Sequence, residues 1–125
     1  METLADRLWL RVVDDLWADH AQRKATARAT LVRAVRRYVE HDARLPSAVP
    51  GDTGARRQLA VRVLHRLTRD DNACLRDWRA RAGRRCDHCT WSTLLQVVTV
   101  HQAFAHRDDH PLGAGAAVSR PEDQR

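Results

Sequence analysis

Four side chains in the C-terminal half of the chain have the types and spacing to hold a metal ion. Cys86, Cys89, His101 and His106 follow the pattern C-x2-C-x11-H-x4-H. A tetrahedral zinc takes two thiolates and two imidazoles, and the cations of Arg84 and Arg85 beside the first thiol favour its thiolate form. Cys74 with one of the histidines is an alternative way to complete the set.

The spacing is near that of a zinc finger, which separates its ligand pairs by about twelve residues. A finger also needs a hairpin ahead of a short polar helix. Here the run Thr90 to Val100 is almost wholly apolar, so the positions that would read bases are core positions. A structural zinc clip pinning two helices together fits better. Cys-Asp-His-Cys ahead of a helix also resembles the redox turn of thioredoxin-like oxidoreductases, where the helix N-terminus stabilises a thiolate. That turn follows a β-strand, whereas an arginine-rich helix precedes this one. The plainest alternative is a pair of reduced cysteines packed at a helix junction.

No other reactive constellation is present. The five glycines form no phosphate-binding loop. Asp14-Asp15, Asp70-Asp71 and Asp108-Asp109 fall at helix ends or in the tail, where capping and dipoles account for them. Ser92 lacks the flanking glycines of a nucleophile elbow. The expectation is a non-enzymatic protein. Three cysteines make no paired framework and point to a reducing compartment, the cytoplasm. No run approaches the roughly 18 apolar residues of a membrane span, and the first residues do not read as a secretory signal.

Charge is the stronger signal. The chain has 125 residues and a net charge of +6, with 22 basic residues of which Lys24 alone is a lysine. Residues 1–20 carry net −3, residues 21–69 net +9, and residues 70–125 are balanced. A cationic surface concentrated in the middle of a chain favours polyanions, nucleic acid first, by releasing counterions from phosphates.

Apolar periodicity predicts five helices and no strand, an all-α bundle over residues 1–107 with a disordered tail from about Asp108. Thr3 and Asp6 have the spacing of a capping box, and Leu4, Leu8, Val12 and Leu16 form a row beside Trp9, Val13 and Trp17. An apolar surface that wide needs more than one neighbour, so Trp9 and Trp17 are core residues or a seam with a partner. The second helix, Ala21 to His41, buries Leu31, Val35 and Tyr38 and turns Arg33, Arg36 and Arg37 outward. A loop with Pro46, Pro50 and Gly51 follows, and Asp52 or Thr53 caps the third helix. There Leu59, Val63 and Leu67 face in, and Arg62, Arg66 and Arg69 form a second cationic stripe. The polar connector Arg69 to Asn72 leads to a fourth helix with Leu75 and Trp78 inside and Arg76 and Arg79 outside, in outline a helix-turn-helix. The fifth runs from Thr90 to about His106 on Trp91, Leu94, Leu95 and Val98.

In size, helix count and basic surface the chain resembles the small helical subunits of class 1 CRISPR effector complexes. That resemblance implies several copies packed along a guide-RNA backbone and lining the path of a strand; it carries over no particular residue. The expected function is a non-enzymatic, arginine-rich subunit binding RNA or single-stranded DNA without regard to sequence, beside other subunits or copies of itself. Its expected contacts are Arg33, Arg36, Arg37, Arg62, Arg66, Arg69, Arg76 and Arg79. Two alternatives are a viral or plasmid-encoded helical adaptor that docks through Trp9 and Trp17, and a zinc-stabilised DNA-binding regulator.

Overall fold

Periods of 3.6 dominate the sequence, and helices are what form. The computed structural model describes residues 4–47, 49–82 and 90–109, with side chains as far as residue 105. Four helices occupy them: α1 (Leu4–Asp15), α2 (Ala21–Arg37), α3 (Thr53–Ala82) and α4 (Trp91–Asp109), and there is no strand among the described residues. None of these helices is long and apolar enough to cross a membrane.

Three of the helices, α2, α3 and α4, start where a side chain meets their unpaired N–H groups. His20, in an extended conformation, opens α2 by accepting the Arg23 N–H on Nδ1 at 3.2 Å. Asp52 opens α3 through Oδ1, which accepts from Ala55 at 2.8 Å. Thr90 caps α4 by accepting the Thr93 N–H at 3.1 Å. Thr3 lies outside the described residues. The box expected between Thr3 and Asp6 therefore lies outside them too, but Asp6 is buried and its carboxylate accepts the Trp91 N–H at 2.8 Å across 85 residues of chain. The first turn of α4 is thus capped twice, once from its own chain end and once from α1.

The polar connector between the third and fourth expected helices appears as an elbow inside α3. Arg69 is extended, and Asp70, Asp71 and Asn72 are all left-handed, with φ of 56°, 57° and 61°. A left-handed turn of L-residues costs about 1–2 kcal/mol per residue, and Asp and Asn tolerate it best among residues with a side chain. Two helical arms result, so the five expected helices are present as four elements, one of them bent.

Between and around these arms lies one core. Val13, Leu31, Val35, Val39, Val63, Leu67 and Leu75 are fully buried, as is Trp78 to within 1%. Trp9 stacks on Trp91 at 4.2 Å, and Trp91 meets Trp78 edge-on at 5.3 Å. Such aromatic pairs add about 0.5–1.5 kcal/mol each beyond the area they bury. α3 packs against α1, α2 and α4, which makes it the central helix. Leu4 and Leu8, expected in the core row of α1, are instead 72% and 57% exposed. The apolar burial of α1 comes at its far end, from Val13 and, just past the helix, Leu16. α4 continues as helix through Asp109, past the expected start of the tail. The remainder of that tail lies outside the described residues.

Candidate nucleic-acid interface

Six basic residues, Arg23, Lys24, Arg28, Arg33, Arg36 and Arg37, and no acidic one lie on α2. Its buried side is Ala27, Leu31 and Val35, and this forces Arg33, Arg36 and Arg37 out to solvent. The helix does not end cleanly. It widens into a π-helical turn, Tyr38–Asp42, closed by the Ala43 N–H on the Tyr38 carbonyl at 2.7 Å. Such turns are rare and leave carbonyls to be satisfied from elsewhere.

Two residues supply that. The Arg56 guanidinium donates through Nη1 to the carbonyls of Val39 at 2.8 Å and Ala43 at 3.0 Å, and through Nε to Gly51 at 3.1 Å. On α4, Gln96 accepts the Tyr38 hydroxyl and donates to the Arg44 carbonyl at 3.3 Å. Burial, and then the charge of Asp42, push the Tyr38 phenol above its ordinary pKa, which suits a hydroxyl that must stay a donor. The turn held in this way sets Glu40, His41 and Asp42 opposite Arg33, Arg36 and Arg37 around an open pocket of about 550 Å³. Arg36 lies 3.4 Å from Glu40. That pair is exposed and contributes less than about 1 kcal/mol. The side chains of Arg33 and Arg37 have no hydrogen bond or ion pair among the described residues, so two guanidinium forks are open to an anion.

The other expected arginines are not equivalent to these. Arg62 is half-buried and donates to the Gln102 carbonyl at 3.3 Å, joining α3 to α4. Arg79 makes a two-point pair with Asp14, at 2.9 and 3.3 Å, that ties the second arm of α3 to the end of α1. Arg76 pairs with Asp71 at 3.0 Å and sits over the Trp17 ring at 5.9 Å. Arg69 lies 3.9 Å from Asp70 within the elbow. Arg66 and Arg69 converge with Arg81 around half-buried Cys74. Burial nevertheless raises that thiol's pKa, against the pull of the arginines. The stripe Arg62, Arg66, Arg69 is therefore partly spent on holding the bundle together. No sequence signal distinguishes Arg56 or Arg62 from the free arginines; apart from Gly51, the carbonyls they meet are 13 to 40 residues away.

Cys86 and Cys89 lie outside the described residues. His101 is exposed on α4, and the backbone of His106 is helical. Among the described residues no group of three or more His, Cys, Asp or Glu side chains is placed to hold a metal. Trp9 is occupied by its stacking on Trp91. Trp17 is half-buried under Arg76, with its Nε1 buried and unpartnered among the described residues. The apolar side chains that α1 leaves open are Leu4 and Leu8. Compared with family models, with curated proteins and with solved structures, the chain matches none.

Proposed function

We propose that this chain is a non-enzymatic helical subunit that holds a nucleic-acid backbone, RNA or single-stranded DNA, within a larger assembly, as the small helical subunits of class 1 CRISPR effector complexes do. The observation that carries the reading is the outer side of α2. Arg33, Arg36 and Arg37 share one open pocket there, with two of the three unengaged. A face of this kind binds phosphates by charge and by the planar fork, and reads no bases. Of the expected contacts, this reading rests on those of α2 more than on the α3 stripe, whose Arg62 is tied to α4. Each arginine that neutralises a phosphate on a single strand adds about 0.7 to the slope of log affinity against log salt. R33Q/R36Q/R37Q should therefore lower that slope by about 2, measured by anisotropy with a labelled single strand. An unchanged slope would remove α2 as the contact.

The exposed Leu4 and Leu8 favour a second reading, a helical adaptor that docks on protein. Single apolar residues are ordinary on surfaces, but two a turn apart at one end of a helix form the start of a docking strip. In that case L4K/L8K converts an oligomer to monomer in light scattering behind size exclusion, with melting unchanged. A wild-type chain that is already monomeric by itself counts against self-association.

A further inference from the structure

α2 is cationic on two opposite sides, and the nucleic-acid reading uses one of them. Nine residues separate Lys24 from Arg33 and Arg28 from Arg37, two and a half turns at about 3.6 residues per turn, so the two pairs point away from each other. Lys24 and Arg28 line a groove of about 570 Å³ between the α1–α2 connection and the elbow of α3. Small-molecule sites have volumes of about 300–1,000 Å³. Its floor is apolar, formed by Leu16 and Leu31, with Ala21 and Ala25 on the α2 side. Asp71 and Asn72 of the elbow stand opposite.

The charges around it do not cancel. Asp71 is taken by Arg76 at 3.0 Å, which leaves Asp19 as the other carboxylate on the rim. Neither the Lys24 nor the Arg28 side chain has a hydrogen bond or ion pair among the described residues. They are like charges four residues apart, an arrangement that is repulsive on its own and that one anion between them relieves. His20 completes the rim. Its Nδ1 accepts the Arg23 N–H, which leaves Nε2 as the protonated nitrogen and a third donor.

We propose that this groove binds a small amphipathic anion, a phosphate monoester or carboxylate with an apolar body, its head between Lys24 and Arg28 and its body over Leu16 and Leu31. The site is independent of the face that carries Arg33 and Arg37. Titration calorimetry on the full chain with hexyl phosphate tests it, with hexanol and inorganic phosphate as the partial ligands. One hexyl phosphate should bind per chain, about tenfold or more tighter than either partial ligand. K24Q/R28Q should weaken it about tenfold or more without moving the melting temperature. A25L, which fills the groove from an exposed position, should weaken it as much, whereas R33Q/R36Q/R37Q should leave it unchanged. Hexanol or inorganic phosphate binding as tightly as the ester, no binding at millimolar ester, or undiminished affinity in K24Q/R28Q or in a folded A25L would each overturn the proposal.

Discussion

Removing the Asp6 carboxylate should unfasten two helices at once. Asp6 is 6% exposed, and its Oδ1 accepts the N–H of Trp91, the first residue of α4, at 2.8 Å. Asp6→Ala leaves that N–H in the interior with no acceptor and takes a negative charge from the positive end of a helix. Loss of a capping side chain costs about 0.5–2 kcal/mol, and loss of a buried hydrogen bond to a charged group about 1.5–3 kcal/mol. These describe the same bond, so they are not summed, and about 2 kcal/mol is the working figure. For a domain of this size each kcal/mol moves the midpoint by about 4 °C, so D6A should melt about 8 °C lower. Trp91 also stacks on Trp9 three residues along α1, so near-ultraviolet dichroism of the tryptophans should flatten in D6A while the helical signal persists at low temperature. Asn at this position keeps an acceptor oxygen and should recover at least half of the loss. The measurement is thermal unfolding at 222 nm on wild type, D6A and D6N. A D6A midpoint within about 2 °C of wild type would refute the cross-bundle cap, and D6N melting as low as D6A would show that the hydrogen bond is not its source.

Two further outcomes follow from single groups. Tyr38 is the sole tyrosine in the chain, so tyrosinate absorbance at 295 nm reports it alone. Because burial raises its pKa, the folded chain should titrate above the ordinary value and the urea-unfolded chain at about 10. The folded state holds this proton more tightly than the unfolded one. The stability it contributes is therefore complete below pH about 10 and is lost as pH rises through the folded pKa, and Y38F should lack this alkaline loss. Thr99 is fully buried with its hydroxyl unpartnered among the described residues. T99V, of the same shape, should raise the melting midpoint by the equivalent of about 1 kcal/mol or more; a lower midpoint would reveal a partner for that hydroxyl.

Much of this architecture could be read from the sequence because it rests on short-range pattern. Apolar residues at helical spacing located the helices, and the polar run Arg69 to Asn72 marked the elbow, since three consecutive left-handed residues are tolerable chiefly as Asp and Asn. Asp52 was legible as a cap because its partner Ala55 is three residues on. What could not be read is tertiary. Asp6 has the local spacing of a capping box, and nothing nearby shows that its carboxylate reaches Trp91, 85 residues away. The π-helical turn depends on Arg56 and Gln96, which approach from two other helices. Leu4 and Leu8 match the apolar row of α1, and only the positions of the other helices show that the row outruns the bundle.

The arginines show why composition located a surface but not the site on it. Twenty-one of them have the same side chain, and the fold sorts them by which acceptor lies within reach. Arg56 and Arg62 found backbone carbonyls, and Arg79 a carboxylate on another helix. On the outer side of α2, Glu40 engages Arg36, while the side chains of Arg33 and Arg37 bond no acceptor among the described residues although Asp42 lines the same pocket. A long cation with no internal acceptor keeps its full capacity for an external one. On the proposed reading, the small set Arg33, Arg36 and Arg37 is then a better guide to affinity than the net charge of residues 21–69. The distinction is measurable: replacing Arg56 should lower stability and leave the salt slope alone, whereas replacing the three should do the reverse.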